Sequence, residues 1–192
     1  GAGHDPVVAI PVANRNRAEA AGIVGTLVNT LPFRMTLAGD ETFALLLDRV
    51  TQASFEMQEN QDAPFEKIID AVKPDRSTDH APLAQVMFDH QEIPIAETWH
   101  GGLTCKPHMT HRGAAQFDLS LLLTVFNDHQ QLAFEYRTDL FLPETIATMM
   151  DRHLANLERL CNDPSVTASA DPTRADKHRL AEISHGPERP EF

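Results

Sequence analysis

Cysteine is almost absent from this chain: Cys105 and Cys161 lie far apart and form no CxxC pair. That argues against a disulfide framework and against a zinc site built on cysteine. Basic residues are also scarce, 16 Lys and Arg against 28 Asp and Glu, for a formal net charge of −12. Such a balance does not suit nucleic acid or an anionic membrane, whose phosphates attract Lys and Arg. No apolar run approaches the roughly 18–20 residues needed to span a bilayer. The N-terminal Gly1-Ala-Gly-His-Asp5 has neither the basic start nor the apolar stretch of a signal peptide. A reducing cytoplasm is therefore the expected compartment. A GxSxG elbow, a Cys–His motif, a phosphate-binding glycine loop and internal repeats are missing as well.

What is present suffices for a folded domain. The chain has 192 residues, 42% of them hydrophobic, enough to bury a core. Val7 to Ala13 is β-branched and apolar, a buried strand in which Pro11 favours an edge, an end or a bulge. Ile23 to Arg34 reads as strand or irregular extended chain, because Pro32 breaks any helix. Asp40 is the expected N-cap of a long helix, with Glu41 in its first turn. Phe43, Leu46, Leu47, Val50, Ser54 and Met57 recur along that helix at buried-face spacing. Pro64 suits the first position of a second helix, striped by Phe65, Ile68, Ile69 and Val72 and stopped by Lys73-Pro74.

Leu83 to His90 reads as a strand, Gln91 to Gly102 as mostly loop, and Leu103 to Met109 as a weak strand. Phe117–Phe126 and Gln131–Thr138 form a hairpin around Asn127-Asp-His-Gln130. Pro143 opens a last helix, apolar at Ile146, Met149, Met150, His153, Leu154, Leu157 and Leu160, which Asn162-Asp-Pro164 closes. Residues 1–164 thus form an α/β domain with a mixed sheet, and 165–192 read as a linker.

Two segments are too irregular for ordinary core. In Gly22-Ile-Val-Gly-Thr-Leu-Val-Asn-Thr-Leu-Pro-Phe-Arg34, Asn29 and Thr30 sit inside an apolar run and must find hydrogen-bond partners. In Asn60-Gln-Asp-Ala-Pro-Phe-Glu66, Asp62 and Pro64 stand where a helix starts. The first is similar to the GxFVNTLxLR motif of condensation domains from nonribosomal peptide synthetases. The second is similar to that family's HQDxPFE, with Asn60 in place of the histidine. Val8-Ala-Ile-Pro-Val-Ala-Asn-Arg15, Pro82-Leu-Ala-Gln-Val-Met-Phe88, Phe117-Asp-Leu119 and Tyr136-Arg-Thr-Asp-Leu-Phe141 resemble further family motifs in the same order. The loop Asp75–Ala81 departs from the family's RDxSRxPL, with Ser77 for an aspartate and His80 for an arginine.

The resemblance implies one lobe of a chloramphenicol-acetyltransferase-like fold, the second half of a V-shaped pseudo-dimer. The family's catalytic HHxxxDG belongs to the first lobe and occurs nowhere in these 192 residues. The implied partners are the N-terminal lobe, carrier-protein domains and an adjacent adenylation domain, with no nucleic acid and no membrane. No cofactor is bound directly; phosphopantetheine arrives on the carriers. Asn29, Thr30 and Arg34 are the candidates for the substrate tunnel. Asn29 either ties down irregular backbone or holds a thioester carbonyl or pantetheine amide. Arg34 either anchors an anion or makes a surface salt bridge. Gln61, Asp62, Pro64, Phe65, Gln85 and Asp118 belong to structural motifs.

No catalytic centre is complete in the chain, and no metal site is expected. His108 and His111 have HxxH spacing without a carboxylate or cysteine cluster, and His80, His90 and His129 sit at loops or strand ends. The acidic residues Glu56 and Glu59 read as a solvated helix face. Two alternatives stay open: a non-catalytic docking or scaffold module, and a lobe of a related epimerase or acyltransferase.

Overall fold

The computed structural model describes residues 5–74, 81–92, 98–100, 102–105, 113–126 and 129–168. Five strands form the main sheet: β1 (Val7–Val12), β2 (Asn29–Arg34), β3 (Val86–Glu92), β6 (Leu119–Val125) and β7 (Gln130–Tyr136). Their order is β2-β1-β3-β6-β7, with β1, β3 and β6 parallel and the two outer strands antiparallel. Three helices accompany them: α1 (Phe43–Glu59), α2 (Phe65–Val72) and α3 (Pro143–Asn162). The architecture is the mixed α/β sheet that the alternation of elements implies.

Register fixes what each sheet face carries. Ile10 pairs with Leu31 and Val8 with Phe33, and the parallel ladder places Phe88 opposite Leu121, itself opposite Phe134. The helices cover this face: α1 and α2 over β2 and β1, and α3 over β7, where His153 meets Phe134 edge-on at 6.2 Å. On the opposite face, Ala9, Ala84 and Phe117 form a buried cluster with Val7 and Met87 packed against it. Ser120 lies fully buried on that face, its Oγ without a hydrogen-bond partner among the described residues.

Both strand prolines obey hydrogen-bond parity. Met35 donates to Pro6, so residues opposite one another in β1 and β2 exchange bonds at every second pair from there. Pro11 and Pro32 fall on the alternate pairs, and neither missing N–H interrupts the β1–β2 ladder. Pro32 faces the outer edge of β2. Pro11 faces β3, whose pairing with β1 spans only Val8 and Ala9. Pro11 therefore marks the end of a pairing rather than a sheet edge.

Several boundaries differ from the sequence reading. Helix α1 is capped by Thr42, whose Oγ1 accepts from Leu45 N, not by Asp40. Glu41, expected in the first turn, lies ahead of the cap and is buried as the ion-pair partner of Arg49. Pro64 is the N-cap of α2 rather than its first helical residue. Of the α1 stripe, Leu47 is half exposed. A short strand β4 (Thr98–His100) lies in the stretch expected to be loop and pairs with β5 (Leu103–Cys105). Gly102, just ahead of β5, adopts φ +89°, which glycine tolerates. The expected continuation to Met109 lies outside the described residues.

The end of α3 is tied to the start of α1. Phe43 N donates to Val166 O and Ala44 N to Pro164 O, each at 2.9 Å, and Ala168 N donates to Glu41 O at 2.9 Å. The first two bonds satisfy amides that the N-terminus of α1 otherwise leaves open. Residues 165–168, read above as the start of a linker, strap the two helices together. The rest of that segment lies outside the described residues.

Candidate functional site

After β1 the chain turns at Asn14, whose φ of +51° asparagine tolerates well. The guanidinium of Arg15 then donates to three main-chain carbonyls, Ala20 (2.6 Å), Ile23 (2.9 Å) and Gly25 (2.8 Å). One side chain thereby organises a crossing that has almost no regular structure. Asn16 Nδ2 donates to Asp62 Oδ1 at 3.2 Å, and Arg17 stands 3.7 Å from the same carboxylate. The crossing is thus joined to the corner between α1 and α2.

Asn29 completes the junction. Its Nδ2 donates to Gln61 O at 3.0 Å and to Ala63 O at 2.8 Å, while its Oδ1 accepts from Phe65 N at 3.2 Å. Pro64 has no side-chain oxygen with which to cap α2, and the carboxamide of Asn29 does so from another strand. Gln61 Nε2 donates to Gln58 O at 2.8 Å and Asn60 Nδ2 to Glu56 O at 2.8 Å, closing the end of α1. The two irregular motifs therefore meet at one hydrogen-bonded corner.

Two hollows flank that corner and share Met57. One, of about 290 Å³, opens at the C-terminal ends of β1 and β3, with Ile10, Val12 and Phe88 beside Gln58, Gln61 and His90. The other, of about 350 Å³, lies between β2, α1 and α2 and includes Phe33, Arg34, Glu56 and Ile68.

The other expected site residues separate. Strand alternation sends Thr30 to the sheet face opposite Asn29. Arg34 is exposed and grips Asp5 through Nε (2.9 and 3.0 Å) and Nη2 (2.5 Å). That hydrogen-bonded pairing holds the Asp5 carboxyl below its usual range and raises Arg34. Gln85 Nε2 donates to Ala81 O at 3.2 Å, and Gln85 O accepts from Leu119 N at 3.3 Å. Asp118 pairs with Arg137 at 3.3 Å; Arg137 also binds Asp139 at 2.6 Å, the main cause of its raised pKa.

Arg15, Arg49 and Arg137 also tie segments together, though their sequence context assigns them no role. Arg49 bonds Glu41 and also donates to Thr36 O at 2.7 Å, a cross-link between loop and helix. Only Arg137 had a local signal, the carboxylate two residues on. Among the described residues no three His, Cys, Asp or Glu cluster as metal ligands. His90 borders the smaller hollow, His129 stacks on Phe126 at 4.5 Å, and His80, His108 and His111 lie outside the described residues. The junction's chemistry is positional: it fixes main chain and contains no nucleophile–base pair.

The model of the condensation domain family matches residues 1–178. The chain belongs to the condensation domain family. The isonitrile lipopeptide synthase of Mycobacterium tuberculosis is 36% identical over 172 residues, covering 86% of this chain and 7% of that protein. The dimodular nonribosomal peptide synthase of Bacillus subtilis strain 168 is 35% identical over 170 residues, covering 85% and 7%. The condensation fold also matches the X-domain from teicoplanin biosynthesis, with a TM-score of 0.74 and 28% identity over 88% of this chain and 39% of that one. A four-domain nonribosomal peptide synthetase bound to AMP and glycine matches in fold, with a TM-score of 0.77 at 21% identity, covering 86% and 14%. The chain thus spans only 7% of the length of either of these two curated synthases. The fold is chloramphenicol-acetyltransferase-like, as the motifs implied, and among the described residues no helix is long and apolar enough to cross a membrane.

Proposed function

We propose that this chain is the C-terminal lobe of a nonribosomal peptide synthetase condensation domain that forms amide bonds between carrier-bound aminoacyl or peptidyl thioesters. One observation carries the reading. A family match over residues 1–178 lacks HHxxxDG and corresponds to only 39% of a solved relative of the same fold. The missing histidine motif belongs to an N-terminal lobe, and this lobe is inactive alone.

In the reaction, the amine of one thioester attacks the carbonyl of the other. A tetrahedral oxyanion forms, and the carrier's thiolate leaves. The N-terminal lobe supplies the histidine that positions or deprotonates the amine. This lobe supplies a wall. Asn29 acts by position: its amide protons hold Gln61 and Ala63, and so fix the corner that both hollows share. The smaller hollow combines apolar walls with the amides of Gln58 and Gln61, which suits the alternating methylenes and amides of a phosphopantetheine arm. Thr30 faces substrate from the other sheet face, and Arg34, beside the larger hollow, meets an anionic group. Residues 169–192 lead toward an adenylation domain in the cytoplasm.

The test is reconstitution with loaded donor and acceptor carriers. The two-lobe protein forms product and the 192-residue chain alone forms none; turnover by the chain alone overturns the reading. In the two-lobe protein, Asn29→Ala lowers the condensation rate. An unchanged rate with normal folding removes Asn29 from the mechanism.

A second reading, a carrier-docking or scaffold module, is favoured by one observation. The X-domain that matches at 28% identity was also solved in complex with OxyB. The two readings part on whether HHxxxDG precedes this segment in the native polypeptide.

A further inference from the structure

Met57 is where the two hollows meet. Along α1 the lining residues part at this position: Ala53, Glu56 and Asn60 border the larger hollow, Gln58 and Gln61 the smaller, and Met57 both. The floors beneath are continuous. Ile10, in the smaller hollow, stands opposite Leu31, in the larger, in the β1–β2 register. Side chains opposed in this way start roughly 5 Å apart. The half-buried Met57 side chain is therefore a partition between about 290 and about 350 Å³ of open space that share one floor.

The two spaces differ in chemistry. The smaller carries the side-chain amides of Gln58 and Gln61 and the ring of His90. The larger is walled by Leu31, Phe33, Ala53 and Ile68. Arg34, Glu56 and Asn60 are exposed and stand at its mouth, where Arg34 is paired with Asp5 and Glu56 Oε1 accepts from Gln52 Nε2 at 3.1 Å. The charges stay outside, and the interior is apolar. An apolar cavity of about 150 Å³ is enough to hold benzene, so the larger hollow has room for a bigger group.

We propose that the hollows are two ends of one site, that the larger takes the apolar side chain of a carrier-bound aminoacyl thioester, and that Met57 governs its entry. This rests on the proposed reading of the chain as a condensation lobe whose smaller hollow holds the pantetheine arm, and it adds a substrate class, amino acids with long apolar side chains. Methionine suits a partition that has to give way. Its side chain is unbranched, with three rotatable bonds and a polarizable sulfur, and repacks readily around a neighbour. A β-branched residue of similar bulk is held to one χ1 rotamer in a helix and keeps the way closed.

The test uses the two-lobe protein and the N-acetylcysteamine thioesters of alanine, norvaline, norleucine and 2-aminooctanoate, a series that lengthens one unbranched side chain. Dissociation constants come from NMR titration, with the Met57 methyl signal as reporter in the wild type. There, each methylene that enters the larger hollow tightens binding about fourfold, and the Met57 signal moves most with the longest side chain. Met57→Ile abolishes the dependence on length, whereas Met57→Ala retains it. Ala53→Phe fills the larger hollow from α1 and abolishes the dependence with Met57 in place, so it decides the matter should Met57→Ile fail to fold. The same length dependence in the wild type and in the folded Ile or Phe variant overturns the proposal and leaves the proposed function standing. So does a wild type that binds all four alike or binds none. A two-lobe protein that forms no product from loaded carriers overturns the condensation reading instead, whatever it binds.

Discussion

Asn29 Oδ1 accepts the main-chain N–H of Phe65 at 3.2 Å across thirty-six residues of sequence. The same carboxamide donates to Gln61 O and Ala63 O, so one side chain closes the corner from which α2 departs. Asn29→Ala leaves two carbonyls and one amide without partners. The expected cost is roughly 2–3 kcal/mol in urea unfolding, with faster exchange at the Phe65 amide. Asn29→Asp keeps the acceptor but sets an anion against two carbonyls, so it should be no more stable than the alanine variant near neutral pH. A wild-type midpoint for either variant would show that the corner holds without the clip.

The strap from Pro164 to Ala168 should contribute measurably to α1. A chain ending at Ala168 is expected to melt with the full-length chain, whereas one ending at Asp163 loses the partners of Phe43 N and Ala44 N. Its thermal midpoint should fall by about 5 °C, a loss of one to two kcal/mol at this size. Equal midpoints would place the end of the folded unit before the strap.

Glu41 predicts an acid limb. Its bond to Arg49 is the main reason that its carboxyl lies below the usual range. As pH falls, the unfolded chain takes up that proton first. The stabilisation is therefore complete above about pH 4.3 and is lost as pH falls through the depressed folded value. Glu41→Gln should flatten the dependence of the urea midpoint on pH in that window. Arg49→Met, which strands a buried carboxylate, should destabilise more than Glu41→Gln near neutrality.

His153 works through the other protonation state. Burial lowers its pKa, because the imidazolium loses water beneath α3. The folded chain keeps it neutral while the unfolded chain protonates near pH 6.5. Stability from this group is full above that pH and declines as pH falls toward the lower folded value. Histidine NMR titration should place its midpoint below that of an exposed histidine, and His153→Phe should remove this slope.

Lys73 ends α2 in the left-handed region, at φ +49° and ψ +57°. Lys73→Gly relieves that conformation and should stabilise the chain by up to about 1 kcal/mol. A loss of stability would mean that the lysine side chain does more than occupy the cap.

The elements with strong periodicity were legible from residues alone. Pro143 and the stripe through Ile146 and His153 define α3, and the polar step around Asp128 defines the β6–β7 hairpin. The caps were less legible. Asp40 and Thr42 are both good capping residues, and what separates them is a contact from Val166, more than a hundred residues on. The β4–β5 hairpin had a signal, the Gly101-Gly102 pair, but strands of three residues carry too little pattern to outweigh Pro94.

The motifs alone placed the chain in its family and marked Asn29 as a polar group that needed partners, because local chemistry suffices for both. Only the tertiary structure decided which partners those were. A carboxamide on β2 does not reveal in sequence that the α1–α2 corner will fold against it. Sheet order had the same dependence. Two prolines acquire different meanings once register shows that Pro32 faces the outer edge of β2 and Pro11 the end of the β1–β3 pairing. Register is set by which strands become neighbours, a long-range outcome of packing that the residues of neither strand contain.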